Sequence, residues 1–168
     1  YVPMVYAPKE ALIWWIDYID SVSEDALRDS LERFKAISER LAHITGATVD
    51  GWDPAQKALR SAFPGITLAE CHLHAMLKLG QHLATFKRQR KAVGQPVSEQ
   101  EEAQIRSAFM RVLQASTPEA YQKALDELPD AFDGGPLASR KDSLTTKQAL
   151  FQAWTTDDKL TVVTTALD

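Results

Sequence analysis

The sequence has little of what marks several large protein classes. One cysteine stands among 168 residues, so no internal disulfide can form, and the count suits a reducing cytoplasm. No apolar run approaches the roughly 18 residues that span a bilayer. The most apolar segment, ALIWWIDYI from Ala11 to Ile19, is short and carries Asp17. No basic region followed by an apolar one opens the chain as a secretion signal would. Positive charge is not in excess: the net charge is −4 and the isoelectric point about 5.6. Overall charge therefore does not announce a nucleic-acid binder. Internal repeats and low-complexity tracts are also missing. The first residue is Tyr1, and the last, Asp168, closes KLTVVTTALD without a polar tail. Both ends look cut, so the chain is read as a piece of a longer protein.

What is there is enough for one domain with a core, since 45% of the residues are hydrophobic and 25% charged. YVPMVYA, Tyr1 to Ala7, reads as an edge strand, because Pro3 argues against a central one. From 8 to about 22, Leu12, Trp15, Ile16 and Ile19 fall at helical spacing and predict a helix. Ser23 reads as the N-cap of a second helix running to about His43, with Glu24 and Asp25 in its first turn. ATVDGW and ITLAE are strand candidates. Between them Asp53-Pro54 starts a helix, with Asp53 as its cap, and Pro64-Gly65 stops it. A long helix opens near Cys71 and reaches about Ala92. Strand, helix, strand, helix in that order predicts an α/β layer with its two strands side by side and parallel. After Gly94-Gln95-Pro96 the pattern is helical: a capping box at Ser98, a start at Thr117-Pro118, a loop over 129–136 and a last helix from about Thr145 to Trp154. KLTVVTT reads as extended or as the approach to another helix.

Three signals carry chemistry. Asp50 ends a short β-branched run and precedes Gly51. A carboxylate at the C-terminal end of a strand stands where α/β proteins place ligands, and a glycine after it lets a metal or phosphate approach the backbone. The plain alternative is a turn aspartate. Second, Cys71 and His74 share one helical face and could seed a zinc site, but a complete one needs about four ligands. No second cysteine exists, and His43 and His82 sit in unrelated contexts, so a buried Cys71 with a core His74 is the alternative. Third, no acidic residue falls between Cys71 and Val97, where Lys78, Lys87, Arg88, Arg90 and Lys91 gather. Such a run either contacts phosphates or is a solvated helix end that complements the dipole.

Together these features resemble one family. TVDGWDPAQKALRSAFPGITLAECHLHAML, Thr48 to Leu77, covers about a fifth of the chain. It resembles the second catalytic block of mutator-type DDE/D transposases, whose catalytic domain is RNase H-like. The shared order is Asp50-Gly51 at a strand end, a helix with Ala58, the Phe63-Pro64 turn, the ITLAE strand, and Cys71-x-x-His74 opening a helix. The resemblance implies an α/β fold, mostly α in this stretch, with a partial RNase H-like layer over 1–95. It implies an all-α insertion over 96–168 leading towards a third catalytic acid. It implies metal-dependent phosphoryl transfer on DNA, with Asp50 as the second of three acids holding two divalent ions, usually Mg²⁺. Cys71 and His74 become a signature pair packed beside the catalytic centre, both buried and without zinc, His74 lying on the Asp50 side. Lys87, Arg88, Arg90 and Lys91 become DNA contacts, and transposon ends, target DNA and further copies of the chain become partners. The first acid is expected ahead of Tyr1, since Asp17 and Asp20 fall in the predicted first helix. Asp168 stands near where the third should be. On this reading the stretch does not catalyse alone. A reading from another class is a non-enzymatic helical module that docks a partner through exposed Trp14 and Trp15.

Overall fold

A computed structural model describes residues 1, 4–7, 12–37 and 39–156. Asp168, the KLTVVTT stretch, Pro3 and the side chain of Trp14 lie outside what it describes.

The chain opens with a hairpin. Strands β1 (Met4–Ala7) and β2 (Leu12–Ile16) pair antiparallel, Met4 opposite Ile16 and Ala7 opposite Leu12, with a register shift between Val5 and Tyr6. The helix predicted over 8–22 is thus corrected to a strand at 12–16. Five successive apolar residues satisfy either period, and β-branched and aromatic side chains beside an available partner strand decide for extension. Trp15 is half-buried and tilts against Phe34, with 6.2 Å between ring centroids, so it is not an exposed docking aromatic. Asp17 follows β2 instead of lying in a helix, and Arg33 forms an ion pair with it.

Helix α1 (Glu24–Ile37) starts where Ser23 Oγ accepts the Ala26 amide at 3.2 Å. A 3-10 turn at Glu39–His43 follows in place of a continuous helix. Strand β3 (Gly46–Val49), helix α2 (Asp53–Ala62) and strand β4 (Thr67–Glu70) then form a parallel unit. Gly46 pairs with Thr67 and Val49 with Glu70, as the strand–helix–strand order predicts. The ladder reaches one residue further, where the Cys71 amide donates to Val49 O at 2.7 Å. The core here is small: Phe34, Ala62, Phe63, Ile66 and Leu68, flanked by Val5, Trp15, Leu31, Leu59 and, from far down the chain, Leu150.

Helix α3 (His72–Ala92) leaves β4 and buries His72, Ala75, Leu79, Leu83 and Phe86 along one stripe. Leu77 is off that stripe and exposed. Helix α4 (Glu99–Leu113) is capped by Ser98 Oγ on the Glu101 amide, and α5 (Pro118–Asp126) by Thr117 Oγ1 on the Ala120 amide, each at 3.1 Å. Helix α6 (Gly135–Thr146) is followed by the short helices α7 (Gln148–Phe151) and α8 (Ala153–Thr156). The single helix predicted from Thr145 to Trp154 is thus divided among the end of α6, α7 and the start of α8, and most of α6 was not predicted. Gly134-Gly135-Pro136 reads as loop, yet a proline in the first helical turn loses no hydrogen bond. One large core joins α3 to α7 and includes Phe109, Val112, Tyr121, Phe132, Leu137, Leu144 and Phe151. It crosses residue 95 without a break. The fold is thus mostly helical, with a two-stranded parallel sheet and a separate hairpin. Helices α7 and α8 return to pack on β4, which carries the α6–α7 junction back to the strand ends. No helix among the described residues is long and apolar enough to cross a membrane.

Candidate functional site at the strand ends

Strands β3 and β4 finish at the same edge, where Glu70 is the last residue of β4 and Asp50 the first beyond β3. Asp50 is exposed. Its Oδ1 accepts the Trp52 amide at 3.1 Å, an Asx turn, and its carbonyl accepts Gln56 Nε2 at 3.4 Å. Asp53 is not the cap of α2. Trp52 holds the cap position without a side-chain bond, and Asp53 is the first helical residue. The Asp53 carboxylate instead accepts Lys147 Nζ at 2.9 Å. That bond, with the Lys147 charge behind it, holds the Asp53 carboxyl below the usual aspartate range.

Glu70 is the residue that the sequence reading missed. Its side chain is 3% exposed, and Oε2 is buried with no hydrogen-bond partner. Lys147 Nζ lies 3.9 Å from that oxygen. Burial pushes the Glu70 carboxyl up, and the neighbouring Asp50 charge adds to this, while Lys147, Lys78 and Arg140 oppose it. The same packing favours glycine at position 51. A Cβ there would fall on Glu70 Oε1 and within 2.7 Å of Lys78 Nζ. What approaches the Gly51 backbone is thus a protein carboxylate and an ammonium. Glu70 had a signal, since it too is an acid at a strand end. Lys147 and Arg140 had none, because α6 and the α6–α7 junction bring them in from far along the chain.

Cys71 is a buried free thiol at the N-cap of α3. His74 is exposed, which corrects the expectation that it is buried towards Asp50. The stripe that α3 buries passes through His72, two residues earlier and on the other side of the helix. His72 lies 3.4 Å from the Phe151 carbonyl and contacts the rings of Phe151 and Trp154. Burial lowers its pKa, with the carbonyl bond opposing. Among the described residues no group of three or more His, Cys, Asp or Glu side chains could hold a metal ion. Asp50 offers one solvent-facing carboxylate. That suits magnesium, which takes one or two carboxylates and completes its shell with waters and phosphate oxygens. Glu70, sealed under the turn, does not face the same space.

Lys87, Arg88, Arg90 and Lys91 lie at the far end of α3, about 14–20 Å along its axis from Lys78 at 1.5 Å per residue. Lys87 is ion-paired with Glu102, as is Arg106, and both bonds hold the Glu102 carboxyl below its usual range. Arg90 lies 3.5 Å from Glu101, donates to the Gln95 carbonyl at 3.1 Å and stacks over Phe86. Arg88 donates to Thr85 Oγ1 at 3.1 Å, and Lys91 is exposed. The acidic first turn of α4 thus neutralises part of the run. A cleft of about 790 Å³ lies at this end too, lined by Phe86, Arg90, Glu101, Ile105 and the 129–136 segment, and so apart from the strand-end carboxylates.

No protein-family model matches the chain, and no curated protein or solved structure matches it either. The functional reading therefore rests on the residues and their arrangement.

Proposed function

We propose that this chain belongs to the catalytic region of a DNA transposase of the mutator-type DDE/D kind, and that Asp50 is one of its metal-holding acids. The observation that carries the reading is the order of parts around Asp50. An Asp-Gly ends β3, α2 crosses over, the Phe63-Pro64 turn leads into a parallel β4, and Cys71 opens α3. In this reading β3 and β4 are part of an RNase H-like layer, and α4–α8 lead towards a third acid, for which Asp168 is the candidate.

The chemistry is in-line phosphoryl transfer. A bound divalent ion supplies charge stabilisation at the attacking and leaving oxygens. The chain's own contribution is position. Oδ1 of Asp50 is held by the Trp52 amide, which leaves the rest of the carboxylate facing solvent. Gly51 keeps the turn narrow above Glu70. At the other end of α3, Arg88 and Lys91 are the cations of the run without a carboxylate partner among the bonds described above, and they carry the phosphate contacts in this reading. Lys87 and Arg90 contribute there by exchanging Glu102 and Glu101 for phosphate.

DNA affinity measured over a salt series tests this. Arg88→Gln and Lys91→Gln should each weaken binding alike for unrelated DNA sequences and flatten the salt slope by roughly one unit per lost contact. Unchanged affinity and slope would return the run to a solvated helix end. The reading frame around this stretch is a second check: it should encode a strand ending in Asp ahead of Tyr1, and a helix bearing Asp or Glu at or after Asp168.

A further inference from the structure

Lys147 belongs to neither strand nor crossover helix, yet its ammonium lies among oxygens of three separate elements. It donates to the Gly51 carbonyl at 3.2 Å and to Asp53 Oδ1 at 2.9 Å, and stands 3.9 Å from the buried Glu70 Oε2. The two hydrogen-bond partners, Asp53 and Gly51, lie 94 and 96 residues away along the chain. An ammonium has three donors, and two of them bracket Trp52. The Gly51 carbonyl and the Trp52 amide are the two ends of one planar peptide unit. The Trp52 amide is the group that holds Asp50 Oδ1. A single rigid plane therefore links Lys147 to Asp50: ammonium to carbonyl on one side, amide to carboxylate on the other.

Glu70 makes the arrangement hard to displace. Its carboxylate lies so close under Gly51 that a side chain there would have to displace it, and its unpartnered, sealed oxygen faces the Lys147 ammonium. An exposed lysine–aspartate pair alone contributes about 0–1 kcal/mol and wanders. Here the lysine side chain is 25% exposed, and the buried carboxylate and the carbonyl restrict where its charge can go. Hydrogen bonds in series through a peptide also polarise one another.

We infer that Lys147 is the positioning residue of the Asp50 turn. Through the Gly51–Trp52 peptide it sets the direction of the Asp50 carboxylate, with Glu70 as the seat that keeps the ammonium in place. The helical region thereby holds the acid of the α/β region. The consequence for metal holding rests on the functional reading above; the consequence for the turn does not.

The test uses the 168-residue chain and two readouts. The first is amide hydrogen exchange by NMR at Trp52, with Val112 in the helical core as reference. Lys147→Met removes the ammonium and keeps the stem. It should speed exchange at Trp52 by about tenfold, the scale of one lost charge-assisted bond, and leave Val112 within about twofold. Lys147→Arg, which keeps a charged donor, should restore most of the protection. If Lys147→Met does not fold, Asp53→Asn loosens the same ammonium and should speed Trp52 exchange by about threefold. Unchanged exchange at Trp52 in the variants that fold overturns the inference. The second readout is line broadening by Mn²⁺ at Asp50 and its neighbours. Lys147→Met should weaken the Mn²⁺ effect there, although removing a nearby positive charge alone would strengthen it. A strengthened effect overturns the positioning role. If Mn²⁺ does not localise at Asp50 in the unsubstituted chain, the consequence for metal holding falls, and Trp52 exchange still decides the role of Lys147.

Discussion

The helical region and the α/β region ahead of it are built on different reserves. In the helical region Tyr121, Phe109, Phe132, Leu79, Leu113, Leu137 and Leu144 are almost wholly sealed within one continuous core. Tyr121 also gives its hydroxyl to the Leu144 carbonyl at 2.9 Å. Among the described residues Phe34 is the one large side chain of the α/β region that is sealed as fully. That region adds a four-residue parallel ladder and charged contacts from Lys147. The difference teaches that the tight packing and the candidate site lie in different parts of the chain. The well-packed half can supply rigidity, while the thinly packed half holds the exposed acid and takes support from its neighbour.

The sharpest way to break this comparison is to cut each core. Phe109→Ala should cost about 3–5 kcal/mol in urea unfolding. Phe34→Ala should cost a similar amount locally and strip exchange protection from β3 and β4 while Val112 keeps its own. If Phe34→Ala strips both regions equally, they form one cooperative unit and the contrast is wrong. Next in size is Gly51→Ala. The added methyl meets a sealed carboxylate and an ammonium, and should cost about 1–3 kcal/mol, as overpacking does. A neutral result would mean that Glu70 can swing away. Ser98→Ala should be smaller, about 1 kcal/mol, because α4 loses a cap that the Glu101 amide uses.

The pH dependence sharpens the contrast further by sign alone. His72 has its pKa lowered by burial, so its stabilising effect is complete above the ordinary histidine value and falls away as the solution is acidified through it. Glu70 is raised, and its contribution is complete below the ordinary glutamate value and lost as pH rises through the raised one. His72→Phe should flatten the loss of stability on acidification below about pH 6.5. Glu70→Gln should flatten the decline on the alkaline side of the ordinary glutamate pKa. Thermal unfolding over a pH series reads both, and unchanged profiles would show that neither pKa differs between the folded and the unfolded chain.

How far the molecule was legible follows from the range of each signal. The β3–α2–β4–α3 order could be read because Pro54, Pro64 and Gly65 punctuate it locally, and the caps at Ser23, Ser98 and Thr117 could be read because a cap needs only its own first turn. The hairpin could not be read: LIWWI suits a helix or a strand, and its partner β1 decides. Helix α6 was hidden by its Gly-Gly-Pro start and by its few apolar residues. At the site, Asp50 was legible from its place after a β-branched run. Which histidine faces inward depended on the phase of α3, which packing sets. Lys147 carries no local mark at all, since its meaning arises only where α7 and α8 return to β4.

The central claim is that Asp50 holds a divalent ion for strand transfer, and two aspartates three residues apart test it. The measurement is Mg²⁺-dependent DNA strand cleavage and joining by the protein made from the whole reading frame. Asp50→Asn keeps the shape and the turn but removes the anion, and should abolish the activity while the fold and DNA binding persist. Asp53→Asn keeps a polar group for Lys147 and should reduce activity only in part. Equal, near-unsubstituted activity in both variants would contradict the assignment of Asp50, and with it the reading of this chain as part of a transposase.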